Sequence, residues 1–275
     1  MSSERPTLFD RAALLRNRAR AQRSPVDFLR LEAIADLEER LIEVNRTFTD
    51  VVIVTPRPDL WKGRLEGARF ISDDDHLNLA EDSCDLIIHD LCLHWANDPV
   101  GQLIQSRRAL RPDGLFLGTM FGGLTLQELR TALAEAEARL TGGLSPRVAP
   151  MAEVRDLGGL LQRAGFALPV ADARPLYVSY ASMTALMSEL RQMGETTALS
   201  GRRRQFSRKA LFEVASDIYA QNFPADDNRI LATFDIITLT GWAPSADQPK
   251  ALRPGSATNS LAEALGTKET KLKPF

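Results

Sequence analysis

Hydrophobic positions along the chain change period several times, and each change marks the border of an element. Leu29, Ala33, Leu37 and Leu41 recur on one face of an acidic segment, residues 26–44, at the spacing of an amphipathic helix. Ser24 and Pro25 stand where such a helix starts, Pro25 suiting the first helical position. The β-branched run Val51-Val52-Ile53-Val54 reads as a short buried strand, and "ARFI" and "CDLIIH" as further strands. A helix over 99–110 leads through the turn Arg111-Pro112-Asp113-Gly114 into a strand over 115–120, since Pro fixes one φ and Gly admits the other. Helices are expected over 124–140, over 152–164 with Gly165 as its cap, near 183–193 and near 207–222. Extended segments are expected over 166–178 and at "ILATFDIITLTGW". Strands alternating with crossover helices form a mostly parallel sheet with helices on its faces, an α/β architecture.

Composition narrows this picture. A chain of 275 residues, 44% hydrophobic, buries a sizeable core. Lys and Arg number 34 against 36 Asp and Glu, a formal charge of −2, so nothing global draws the chain to nucleic acid. Two cysteines, Cys84 and Cys92, fit a reducing compartment, cytoplasmic in a bacterium or the mitochondrial matrix in a eukaryote. No apolar run approaches a transmembrane span. The Arg-rich start of "FDRAALLRNRARAQRSPVDFLRLEAIADLEERL" has the look of a transit peptide, but Asp10 and the quick passage into an acidic helix point to a folded arm.

The turn after the first strand is unusual. Such a strand ordinarily leads into a glycine-rich turn that cradles a nucleotide, whereas here it reads Thr55-Pro56-Arg57-Pro58-Asp59. A βαβ crossover takes about 30 residues, and the span between Asp50 and Ser83 leaves room for one lean unit where two would be usual. "ARFI" is then either a third strand or one moved into the second strand's place. The second placement puts Asp73 or Asp74 where a ribose-binding acid belongs; a solvated acidic loop is the plain alternative.

Several stretches carry a family likeness: "LCLHWANDP", "LRPDGLFLGTMFGGLTLQELR", "GGLSPRVAPMAEVRDLGGLLQRAGF", "MTALMSELRQMGET" and "RPGSATNSLAEAL". Together they resemble the methyltransferase-fold assembly factors of respiratory complex I, kin to the BioC-type S-adenosylmethionine-dependent methyltransferases. The resemblance implies a Rossmann-like class I methyltransferase fold with a shortened N-terminal half, a helical insertion before the last strand and an N-terminal helical arm. The boundaries expected are an arm and helix over 1–46, a methyltransferase-like domain over 47–242 with its insertion at about 182–222, and a Pro-, Ser- and Gly-rich tail over 243–275. In that family an acid ends the first strand and a Gly-x-Gly-x-Gly turn follows. Here Ile53 stands at the acid and Thr55, Arg57 and Asp59 at the glycines, so S-adenosylmethionine binding is doubtful.

The resemblance places His94, Trp95, Asn97 and Asp98 along the cofactor and substrate cleft, with Asp73 and Asp74 as the remaining cofactor candidates. A helix cap by Asn97 or Asp98, with Trp95 as packing, explains the same residues equally well. Gly122 and Gly123 permit close approach of a ligand or partner, while Thr125 and Glu128 have capping-box spacing. Trp95 and Phe121 are candidate aromatic anchors for a protein partner, a complex I subunit by the resemblance. Arg147, Arg202, Arg203 and Arg204 would form the rim. "GRRRQFSRKAL" is either a solvated face or a dock for an acidic partner or anionic headgroups, which would allow peripheral membrane association. His76, His89, Cys84, Cys92, His94 and Asp73 to Asp75 crowd together, and the resemblance to a family linked with arginine hydroxylation makes iron worth weighing. Strand alternation sends Cys84 and His89 to opposite faces, so no metal is expected. Three functions are in view: an assembly or maturation factor with an eroded cofactor site, an active methyltransferase, and an arginine hydroxylase acting on a complex I subunit.

Overall fold

Residues 7–249, 262 and 265–267 are described by a computed structural model of the chain. At its centre Val51–Val54 (β1) is buried at every position, as a strand covered on both faces must be. It pairs in parallel with Arg69–Ile71 (β2) on one side and Cys84–His89 (β3) on the other. Leu110–Gly122 (β4) continues the parallel sheet beside β3. The remaining strands are Ala167–Tyr180 (β5), the short Pro224–Ala225 (β6) and Arg229–Trp242 (β7). β7 runs antiparallel between β4 and β5, giving the order β2-β1-β3-β4-β7-β5 with β6 attached to β7. Among the described residues β1 and β2 alone precede Cys84. "ARFI" lies directly against β1, in the second strand's place.

The helices are Arg11–Ala21 (α1), Phe28–Val44 (α2), Pro99–Ala109 (α3), Gln127–Thr141 (α4), Val154–Arg163 (α5), Met183–Met193 (α6) and Lys209–Asn222 (α7). Ile34 and Leu37 of α2 pack with Val51, Ile53, Leu86 and Leu117 on one sheet face. Leu103 of α3 and Leu157 and Leu161 of α5 cover Val52, Val54, Ile87 and Phe116 on the other. Full burial of each such aliphatic side chain contributes roughly 1.5–3 kcal/mol. A further core joins α4, α6 and α7 beside β7 through Leu129, Leu186, Tyr219 and Phe234. Residues Met1–Pro244 group as one compact unit and Ser245–Phe275 as a second. Much of the tail expected over 243–275, including 250–261, lies outside the described residues.

Several local expectations are overturned, each for a physical reason. α2 starts at Phe28, after Pro25, because Val26 donates its amide to the Gln192 carbonyl (3.4 Å) and the Asp27 carboxylate holds Arg57 rather than capping the helix. Arg111 to Gly114 make no turn between elements. They bulge within β4, where Cys84 pairs with Leu110 but Leu86 with Leu115, and Asp113 takes φ +61°. The same register shift brings Cys84 to the face that carries His89: the Cys84 thiol reaches the Ala109 carbonyl (3.2 Å) and His89 Nε2 lies 3.1 Å from Ser106 Oγ, both on the α3 side. Thr125 and Glu128 form no capping box. Thr125 Oγ1 accepts from the Asp235 amide (2.9 Å) and Glu128 accepts from the Thr233 amide (3.2 Å), so both side chains fasten α4 to β7.

Candidate functional site

Open α/β sheets bind ligands outside the carboxyl ends of their strands. At the ends of β1 and β3 this crevice holds protein side chains. Asp90, fully buried after β3, accepts from Thr55 Oγ1 (2.7 Å) and from Trp61 Nε1 (3.0 Å). Arg30 of α2 donates to the Asp90 carbonyl (2.6 Å) and lies 3.2 Å from its carboxylate. Burial disfavours the Arg30 charge, but Asp90 and Glu195 outweigh that and its pKa is raised. The turn keeps its own amides occupied. Thr55 N donates to the Ile71 carbonyl (3.1 Å), Arg57 N to Thr55 Oγ1 (2.9 Å) and Leu60 N to the Arg57 carbonyl (3.2 Å). Pro56 and Pro58 have no amide hydrogen to offer. The Arg57 guanidinium bridges Asp27 and Asp59, and the 3₁₀ turn Pro58–Trp61 drives the indole of Trp61 fully inside.

At the edge beside β2, Asp73 is 3% exposed and receives Arg11 (2.7 Å) and Arg18 (2.8 Å), both from α1. Burial alone would raise its pKa, but the two guanidinium groups hold it down at about 2. Asp74 pairs with Arg11 (3.0 Å) and with the Ser72 hydroxyl. Both acids thus anchor the N-terminal arm. Asn97 does the same, accepting from the Phe9 amide (2.8 Å) and donating to the Phe9 carbonyl (3.2 Å). Asp98 caps α3 by accepting from Gly101 N (2.8 Å), ahead of Pro99.

Of the other expected site residues, His94, Trp95, Phe121, Arg147, Arg202 and Arg203 converge on an apolar cleft of about 220 Å³ between α4, α6 and the 146–151 loop. "LHWAND", "MFGGLTLQELR" and "GGLSPRVAP" all reach it, through His94, Trp95, Phe121, Pro146 and Arg147. Leu129, Leu133, Met187 and Phe234 line its walls. Arg202 and Arg203 also border it, Arg202 tied to Asp10 (2.8 Å). Arg147 pairs with Glu137 (2.8 Å), whose carboxylate is 2% exposed. Arg147 and the Ser145 bonds outweigh burial and hold the Glu137 pKa down to about 2. Arg204 is 73% exposed, with Asp10 at 3.9 Å, and stands outside the lining. Gly122 and Gly123 serve the fold: a Cβ on Gly122 would lie 2.2 Å from Ile237 Cδ1, and Gly123 takes φ +52°.

Sequence reading missed Glu195. Gly194 ends α6 with φ +82°, and the Glu195 amide turns back to the Leu190 carbonyl (2.9 Å), which aims its side chain inward. Its carboxylate accepts from Trp95 Nε1 (2.7 Å) and from His94 Nε2 (3.0 Å). Burial works to raise its pKa, but His94, Arg30 and Arg18 outweigh that and lower it. The available signal was a Gly-Glu pair closing an amphipathic helix. Among the described residues no group of three or more His, Cys, Asp or Glu is placed to hold a metal ion, and no helix is long and apolar enough to cross a membrane.

Residues 43–118 match the methyltransferase domain family. The arginine-hydroxylase NDUFAF5, mitochondrial, of Danio rerio is 32% identical over 266 residues, covering 87% of this chain and 83% of that protein. The Homo sapiens protein of the same name is 38% identical over 193 residues, covering 70% of this chain and 56% of its own length. A malonyl-[acyl-carrier protein] O-methyltransferase of Xylella fastidiosa (strain M23) is 34% identical over 171 residues, 62% of this chain and 56% of that one. The chain thus spans little more than half the length of the human relative. The mostly parallel sheet is that of the methyltransferase fold, and the chain belongs to the family of methyltransferase-fold proteins that includes the NDUFAF5 arginine-hydroxylases.

Proposed function

We propose that this protein is an assembly or maturation factor for NADH:quinone oxidoreductase, complex I, built on a methyltransferase fold whose S-adenosylmethionine site has eroded. The observation that carries the erosion is the Thr55–Asp90–Trp61–Arg30 network closing the ends of β1 and β3. The residues present do not fit the cofactor. The Arg57 and Leu60 amides are taken within the turn and the Thr55 amide by β2, and the candidate ribose acid Asp73 is held by Arg11 and Arg18. Complex I as the partner rests on the family to which the chain belongs. The apolar cleft with its arginine rim is the surface through which a complex I subunit is bound.

Reading the relatives' activity onto this cleft supports a second role, in which the bound segment presents an arginine for hydroxylation. The name those relatives carry, arginine-hydroxylase, favours it. An active methyltransferase is the third reading, favoured by the similarity to a malonyl-[acyl-carrier protein] O-methyltransferase.

The test is genetic. Reversing Arg147, tied to a buried Glu137, would unfold the rim, so the informative substitution is Arg203→Glu with Arg204→Glu, side chains 40% and 73% exposed. Cells carrying only this variant should hold less assembled oxidoreductase at unchanged levels of folded protein, and cells lacking the protein should hold least. If deletion leaves assembly intact, the proposal fails.

A further inference from the structure

Glu195 is a carboxylate in an unusual position. Its side chain is 9% exposed and borders the apolar cleft. A buried anion is costly unless a cation and hydrogen bonds answer it. Oε2 receives both the Trp95 and the His94 hydrogen bonds, whereas Oε1 accepts none from any described residue. The Phe121 amide donates to His94 Nδ1 (3.4 Å), and the ring's Nε2 faces Glu195. Arg30 is committed to Asp90 and the Leu91 carbonyl, and Arg18 to Asp73. No arginine or lysine side chain touches Glu195 among the described residues, and its charge is favoured first by His94 and then by the more distant Arg30 and Arg18.

The rest of the cleft fits the same occupant. Ligand pockets for drug-sized molecules run to about 300–1,000 Å³, so a cavity of about 220 Å³ suits a single long side chain. Its walls, Leu129, Leu133, Met187 and Phe234 among them, suit an aliphatic stem, with Phe121 and Trp95 beside the carboxylate. Aromatic faces next to a carboxylate favour a cation. Four arginines border the cleft: Arg147 and Arg202 are paired with Glu137 and Asp10, Arg203 lies 3.9 Å from Glu137, and Arg191 stands on α6. The geometry points to Glu195, positioned by His94 and Trp95, as the receptor for the cationic head of an arginine side chain that a protein partner inserts into this cleft. This rests on the partner-binding reading above and adds to it the residue that selects the inserted side chain.

The probe is acetyl-Ala-Arg-Ala-amide, compared with its norleucine analogue, titrated onto the full chain by nuclear magnetic resonance. The arginine peptide should bind at least about tenfold more tightly, and Glu195→Gln should abolish that preference, a loss of about 1.4 kcal/mol or more. Met187→Trp, which fills the cleft without contact to the Glu195 hydrogen bonds, should block both peptides while leaving the spectrum of a folded protein. Equal binding of the two peptides, or an arginine preference kept by folded Glu195→Gln, overturns the assignment. If the preference depends on Glu195 but cells lacking the protein still assemble the oxidoreductase, the receptor stands and the assembly role fails. The reverse pattern sinks the receptor alone.

Discussion

Replacing Asp73 by Asn removes the charge that fastens α1 to the sheet edge. The carboxylate is 3% exposed and faces Arg11 and Arg18 at 2.7 and 2.8 Å. Its pKa stands at about 2 in the folded protein against an ordinary 3.8. At about 1.4 kcal/mol per pH unit this separation corresponds to about 2 kcal/mol of stability. A carboxylate with a depressed folded pKa adds stability that is complete above its unfolded pKa and is lost as pH falls through the folded one. The difference between wild type and Asp73→Asn should therefore be about 2 kcal/mol at pH 5 and above and shrink to about half of that at pH 3. Arg18, 12% exposed, is left without its carboxylate in the variant, and that loss is part of this difference. Urea unfolding of both proteins at pH 7, 5 and 3 measures the difference, and hydrogen exchange in α1 should speed up in the variant. A difference below about 0.5 kcal/mol at pH 7, or one that does not change between pH 5 and 3, would refute the clamp.

Asp90→Ala should cost about 3–5 kcal/mol in urea unfolding, because it strands Arg30, 8% exposed, without its carboxylate and deprives Thr55 and Trp61 of their acceptor. A cost under about 1 kcal/mol would mean that the network does not hold the ends of β1 and β3 together. Burial pushes the Cys84 thiol up to about 11 and the Cys92 thiol well above its ordinary value. Iodoacetamide at pH 8 should therefore label neither cysteine in the native protein and both in urea, as mass spectrometry would show.

What the sequence discloses about this protein follows the range of the forces involved. Val51 to Val54 and the lean span to Ser83 were legible because burial on both faces demands an uninterrupted apolar run and chain length limits the number of strands. The loss of glycines at Thr55, Arg57 and Asp59 was legible for the same local reason. Partners distant in sequence were not. Thr125 and Glu128 have the spacing of a cap, yet β7 supplies stronger partners at Asp235 and Thr233. Asn97 and Asp73 look like cleft residues until the N-terminal arm folds across and takes them, Phe9 bonding Asn97 and α1 holding Asp73. Glu195 has no local signature beyond its glycine, since Trp95 and His94 lie a hundred residues away in the chain. Cys84 shares a face with His89, against expectation, because alternation counts residues and cannot see the register shift beside Asp113.

Calorimetric titration of the purified chain with S-adenosylmethionine and with its demethylated product bears most directly on the proposed erosion of the cofactor site. The account predicts no saturable binding of either up to about 1 mM, where association would amount to only about −4 kcal/mol. A dissociation constant in the low micromolar range, about −8 kcal/mol, would contradict it. The crevice closed by Asp90, Arg30, Trp61 and Thr55 would then have to open for the cofactor.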